Sequence, residues 1–181
     1  DPYGWDTGTQ GSLTCRFVPG STYPISLPAN APGGECNTEA ADTVFTNFVY
    51  QIKMQIIKGL NGTGGVGPTF RASPNLQGSF YSISFDADGK WTFGYQIDGF
   101  TPHVMGATLL GGVSSYFVTG DGQVNYITVR VQGHQIDAQI NGYPLFSISN
   151  SELVEGMIGV QIGGVTEDTD VAFSNAIVWK L

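Results

Sequence analysis

The side chains best suited to hold a sugar recur at alternate positions in three stretches: Gln51, Lys53 and Gln55, then Thr69 and Arg71, then Phe80, Ser82 and Ser84. Amides and hydroxyls exchange hydrogen bonds with sugar hydroxyls, a planar guanidinium binds in a fork, and an aromatic ring covers the apolar face of a sugar ring. Gln51, Lys53, Arg71, Phe80 and Ser82 are therefore the expected carbohydrate-binding set. The plainer reading of Arg71 is a structural arginine that bonds loop carbonyls or pairs with an acid. Catalysis finds less support. Glycoside hydrolysis normally needs two carboxyl groups about 5 Å, or about 6.5 to 9.5 Å, apart. Glu35, Glu39, Glu152, Glu155 and Glu167 all fall in expected loops or turns, and among the Asp residues Asp137 alone interrupts a strand, on its wet side. His103 and His134 sit in a loop and a turn, and no G-x-S-x-G elbow is present, so no triad and no catalytic residue is assigned. The acidic turn Glu167-Asp168-Thr169-Asp170 offers Asp168 and Asp170 as calcium ligands; a solvated acidic turn is the plainer alternative.

Cys15 and Cys36 form an even pair separated by a segment rich in Pro and Gly. In an oxidising compartment they read as a disulfide, because Cys36 lies in the polar run GGECNTEA, where a free thiol would be open to oxidation. Two buried free thiols are the alternative. Zinc is not supported, since both histidines lie far from the pair in sequence.

The elements that must position these groups are strands. Phe48 to Lys58, FVYQIKMQIIK, sends Phe48, Tyr50, Ile52, Met54 and Ile56 to one side and Val49, Gln51, Lys53 and Gln55 to the other. On a helix those apolar positions would scatter around the cylinder. Ser79 to Ile97 reads as a hairpin turning at Asp86-Ala87-Asp88-Gly89, and Asn141-Gly142 marks a second. Met157 to Ile162 and Val171 to Leu181 close the chain, the latter with Val171, Phe173, Ile177, Trp179 and Leu181 in phase, which places Trp179 with Trp91, Phe93 and Tyr95 in the core. Residues 1–11 read as an N-terminal arm, Pro28 to Ala41 as a loop, and 98–123 as a long excursion with one short strand at Ser115 to Thr119. Ten to twelve strands and no helix require two packed sheets or a barrel. The expected fold class is all-β, a jelly-roll β-sandwich of two antiparallel sheets in one domain, residues 12–181.

Composition narrows the partners. Charged residues are 12% of the chain, against about 25% in ordinary soluble domains. A surface so poor in charge favours an extracellular or cell-surface protein. The net charge of −8 repels phosphate backbones, which excludes nucleic acid as a partner. No apolar run approaches the roughly 20 residues that cross a bilayer, so this segment makes no direct membrane insertion. The chain opens at Asp1 without Met and reads as processed or trimmed.

The ordered series FxNFxYQIKMxIIKG, GGxGxxFRA, FYSISFDADGKWTF, NYITVRVQGHQIDAQINGYPL, GMIGVQI and VAFSNAIVWKL resembles the concanavalin A-like jelly-roll superfamily. It is most similar to the branch holding the 3-keto-disaccharide hydrolase-like domains and the exo-inulinase accessory, levan-binding modules. The resemblance runs from Phe45 to Leu181 and implies two antiparallel sheets, one of them concave and carrying the glycan, with Arg71 matching a recurrent residue of the branch. The strand-borne Glu-x-Asp-x-Glu of the related glucanases is absent. The expectation is thus a secreted or surface-displayed, non-catalytic, glycan-binding sandwich that needs no cofactor beyond optional calcium. The alternatives are a self-assembling structural, sensor or adhesion domain, and a 3-keto-glycoside hydrolase-like enzyme.

Overall fold

The computed structural model of the protein describes residues 4–18, 22–38, 43–60, 64–73, 78–98 and 104–181. Fourteen strands and no α-helix occur among the described residues. In chain order they are β1 (Gly8–Gln10), β2 (Leu13–Cys15), β3 (Thr22–Leu27), β4 (Gly34–Asn37), β5 (Phe48–Lys58), β6 (Gly65–Ala72) and β7 (Phe80–Phe85). There follow β8 (Lys90–Asp98), β9 (Val104–Val113), β10 (Val124–Gln132), β11 (Gln135–Ile140), β12 (Tyr143–Ser149), β13 (Met157–Gly163) and β14 (Thr169–Lys180).

Two sheets form. One is eight-stranded, in the order β1-β2-β3-β14-β5-β10-β11-β12; the other is six-stranded, in the order β4-β13-β6-β7-β8-β9. Neighbouring strands pair antiparallel, and the jumps between sheets make the sandwich a jelly roll. β5 lies inside the larger sheet, between β14 and β10, in the register its alternation requires. Phe48, Tyr50, Ile52, Met54 and Ile56 are buried, while Gln51, Lys53 and Gln55 keep partial exposure. Opposite them the smaller sheet contributes Val66, Phe70, Tyr81, Ile83, Phe85 and Phe93. The rings of Phe70, Tyr81 and Phe93 stack across three strands at 5.5 to 6.3 Å, and Phe93 meets Phe146 of the other sheet at 4.6 Å. Aromatic pairs at such spacings add to the stabilisation from buried area.

Three stretches differ from their sequence reading. The expected loop at Pro28 to Ala41 contains β4, a four-residue edge strand too short to show a period. The expected excursion contains β9, hidden in the sequence by glycines; a Cβ at Gly111 or Gly112 would meet Trp91 at 3.1 to 3.3 Å, so close strand approach requires them. Ser115 to Thr119, by contrast, is a turn held by Phe117 N–H to Ser114 O and by Val118 N–H to the Asn125 side chain, not a strand. Of the arm, the described part is docked. Trp5 bridges Thr38 and Asp6 N–H donates to Asn37 O beside β4, while β1 pairs with β2, so this segment ties the edges of both sheets.

Trp179 is a further correction. It is 47% exposed, because one extra residue of β14 is inserted between Ser174 and Ile177 at a bulge where Asn175 takes φ 52°. The insertion reverses the phase: Val171 and Phe173 point inward, whereas Ile177 and Trp179 stand on the outer face. Trp91 and Phe93 pack against Phe146 as the alternation implies.

Candidate functional site

The expected binding row is divided between the two outer faces of the sandwich. Gln51 and Lys53 stand on the eight-stranded face, where Gln51 Nε2 donates to Thr128 Oγ1 at 3.1 Å and Lys53 lies opposite the half-exposed Tyr126. Thr69 and Ser82, paired partners on β6 and β7, face away from the core on the six-stranded side. Because β5 and β6 belong to different sheets, packed about 10 Å apart, residues close in sequence come to lie on opposite sides of the molecule. Phe80, at the start of β7 opposite Gln96, is only 7% exposed, so its ring is covered and not offered to solvent.

Arg71 is likewise corrected from a wet-face position: it is 1% exposed. It lies at φ 50°, beside the β6–β13 bulge at Met157/Ile158, and its guanidinium turns to the end of the sandwich. There Nη1 donates to Leu153 O, and Nη2 donates to Thr46 O and Gly133 O, each at 2.8 Å. These carbonyls belong to the segments before β5, between β10 and β11, and between β12 and β13. Tyr81 completes the node, donating to Asn150 Oδ1 and accepting from Leu153 N–H at 3.1 Å. Desolvation draws the Arg71 pKa below its ordinary value and raises that of Tyr81.

A cleft of about 660 Å³ opens at the β4 edge of the six-stranded sheet. Its chemistry comes from Asp6, Gln10, Glu35, Asn37, Ser73 and Met157. The disulfide explains why. Cys15 on β2 and Cys36 on β4 are bonded across the sandwich, and both are buried. With Cys36 turned inward, its neighbours Glu35 and Asn37 must turn outward together. Asp6 Oδ2 accepts from Asn37 N–H at 3.0 Å and from Gln10 Nε2 at 3.2 Å. Glu35 Oε1 accepts from Gly78 N–H at 3.2 Å, while Glu35 Oε2 is buried and has no hydrogen-bond partner. The polar line continues inward: Thr69 Oγ1 donates to Asn37 Oδ1 at 3.2 Å across Gly159, where a Cβ would come within 2.0 Å of the same oxygen. Gly159 is thus required for the two side chains to meet over its strand. Farther along, Gln161 Nε2 donates to Ser84 Oγ.

Glu35 therefore stands on a strand in a cleft shared with a second carboxylate, which corrects its expected place in a loop. Burial raises its pKa above the usual carboxylate value; hydrogen bonds from Asn37 and Gly78 oppose the rise, and the charge of Asp6 adds to it. The native state then holds this proton more tightly than the unfolded chain does. Stability is lost as pH rises from about 4.3, the ordinary glutamate value, through the raised native one. Glu35→Gln keeps an acceptor for Gly78 and removes the charge. The expected result is that melting temperatures of wild type and variant diverge across this window, the wild type falling relative to the variant with rising pH. A wild type that gains on the variant over the same range would contradict the burial of this charge.

The remaining expected groups lie elsewhere. Asp168 Oδ1 accepts from Ala29 N–H at 3.0 Å, and Asp170 pairs with Lys58 at 3.3 Å. No group of three or more His, Cys, Asp or Glu side chains suited to a metal ion occurs among the described residues. His134 is exposed in the β10–β11 turn, and His103 lies outside the described residues. Asp137, on the outer face of β11, pairs with Arg130 at 3.3 Å, and hydrogen bonds led by that from Ser147 hold its pKa below the usual value. Asp6, Glu35 and Asn37 were missed in the sequence. The signal for the last two was their placement on either side of a bridged cysteine.

Two packed antiparallel sheets with jelly-roll crossovers define the class: this is an all-β jelly-roll sandwich. No model of a known protein family matches the chain, and no curated protein matches it. Among solved structures, the carbohydrate binding module CBM66 from Bacillus subtilis superimposes with a TM-score of 0.73 at 15% identity, over 97% of this chain and 94% of that one. A glycoside hydrolase family 16 endo-glucanase from Bacteroides ovatus gives 0.68 at 7% identity, over 98% and 96%. A protein of unknown function with a galectin-like fold from Bacillus subtilis gives 0.65 at 11% identity, over 97% and 89%. At these identities the likeness is one of fold.

Proposed function

We propose that this chain is a glycan-binding β-sandwich module that works outside the cell, and that its ligand enters the cleft beside β4. The observation that carries the reading is the cleft itself. It is the size of a small-molecule pocket, it is lined by amide, hydroxyl and carboxylate groups with Met157 as an apolar wall, and a buried carboxylate oxygen in it lacks a donor. A sugar supplies hydroxyl donors and an apolar ring face together. The disulfide and the low charge content support an oxidising, extracellular setting. The similarity in fold to a carbohydrate-binding module supports the ligand class.

A glycan array on the purified chain, with and without calcium, tests this directly. On the best glycan, Asn37→Ala is expected to weaken binding about tenfold, near the upper worth of one neutral hydrogen bond. Lys53→Ala and Gln51→Ala, on the far face, should leave it unchanged. Loss in Lys53→Ala or Gln51→Ala, with Asn37→Ala unaffected, would move the site to the eight-stranded face.

A second reading is glycoside hydrolysis, favoured by one observation: two carboxyl groups share the cleft, and the pKa of one is raised, as in acid and base pairs. Binding without turnover is preferred because Asp6 Oδ2 is already engaged by two donors, Asn37 N–H, which docks the N-terminal segment on β4, and Gln10 Nε2 from within that segment. Turnover of a glycoside that disappears in Glu35→Gln would establish the hydrolase instead.

A further inference from the structure

Among the described residues, those lining the cleft include two carboxylic acids and no lysine, arginine or histidine. Of the carboxylate oxygens, Asp6 Oδ2 and Glu35 Oε1 have donors, while Glu35 Oε2 is buried without one. Removing a charged acceptor from water without a partner is costlier than doing so for a neutral one, and a charged donor restores roughly twice what a neutral donor does. A sugar hydroxyl offers a neutral donor; an ammonium group offers a charged one with three hydrogens. Uronic acids and sulfated sugars meet the opposite situation, two acids and, among the described lining residues, no cation to receive them.

We propose that the cleft is a site for an amino sugar, whose protonated amine donates to Glu35 and lies in the field of Asp6 while the ring's C–H face rests on Met157. This rests on the reading of the cleft as a glycan site and specifies its ligand. Glu35 is the charge partner.

The test compares two oligosaccharides of equal length and linkage, a β-1,4 glucosamine tetramer and its N-acetylated counterpart, by titration calorimetry. Wild type, Glu35→Gln and Asp121→Asn are measured at roughly physiological salt, where the Debye length is about 8 Å. Asp121 is exposed in the β9–β10 connection, so its amide variant removes the same unit of charge outside the cleft. Wild type is expected to bind the free amine at least tenfold more tightly than the acetylated form, Glu35→Gln to lose that preference, and Asp121→Asn to retain it. Equal affinity for the two tetramers, or preference for the acetylated one, overturns the amino-sugar assignment while leaving the glycan site in place. Equal loss in both variants also overturns it, because the attraction is then the net charge of the whole protein. If neither tetramer binds and no sugar on the array binds, both readings fall. Should Glu35→Gln not fold, Glu35→Asp, which withdraws the carboxylate by one methylene, carries the comparison, and an undiminished preference in it overturns the assignment.

Discussion

Replacing Arg71 by alanine is expected to destabilise the fold by about 3 to 5 kcal/mol, the combined cost of buried carbonyls left without a donor, at roughly 1 to 3 kcal/mol each, and of the cavity left behind. The guanidinium is 1% exposed and satisfies three carbonyls from three separate segments at 2.8 Å each. Alanine leaves those carbonyls without a donor, opens a cavity the size of the side chain, and frees the ends of both sheets from each other. Arginine and alanine both carry a Cβ, so the backbone strain at φ 50° is common to the two chains and the difference reports the side chain. For a chain of this length the loss corresponds to a fall in melting temperature on the order of 10 °C. Arg71→Lys should recover only part of it, since one ammonium cannot reproduce the fork that serves Thr46, Gly133 and Leu153 together. Thermal melts of the three proteins decide the matter. An alanine variant that melts with the wild type and fails only in glycan binding would return Arg71 to the binding set.

The contrast between Arg71 and β5 shows where sequence reasoning held and where it lost information. Alternation in β5 is enforced by burial on one face alone, so period, register and the inward set could all be read from residue types. The same logic failed at Trp179, because one inserted residue at Asn175 reverses phase while the sequence still looks in step; the only trace was an asparagine, a residue tolerant of positive φ. For Arg71 the alternation pointed to an outward position, and no local signal tells that carbonyls from three distant segments converge there. The division of the binding row has the same origin. Strands consecutive in sequence, β5 and β6, enter different sheets, and crossovers of that kind are set by tertiary packing of both faces, not by any property of the connecting residues. The cleft was within reach: a bonded Cys36 fixes the outward direction of Glu35 and Asn37, and only the strand itself, four residues on an edge, was too short to recognise.

That bridge is also where stability and site depend on one another. Cys15 and Cys36 lie 21 residues apart and join β2 of the larger sheet to β4 of the smaller one. On the chain-entropy model a closed loop of that size restricts the unfolded state enough to contribute roughly 3 kcal/mol. The double variant Cys15→Ala, Cys36→Ala avoids burying an unpaired hydroxyl and is expected to lose about that much in urea unfolding, with little change in slope. Its effect on the cleft should exceed its effect on the rest of the fold. β4 pairs with β13 over only four positions and is otherwise held by Trp5 and Asp6 of the docked N-terminal segment, so without the bridge the edge strand that orients Glu35 and Asn37 has the weakest attachment in the smaller sheet. Amide hydrogen exchange should therefore quicken first in β4 and the segment around Asp6, and affinity for any cleft ligand should fall in the variant even under conditions where it remains folded. Wild-type protein should carry an intact mass about 2 Da below its reduced form, two hydrogens having been lost. A double variant that unfolds at the wild-type midpoint, with β4 exchanging at its original rate, would show that packing alone positions the strand and that the bridge is dispensable to the site.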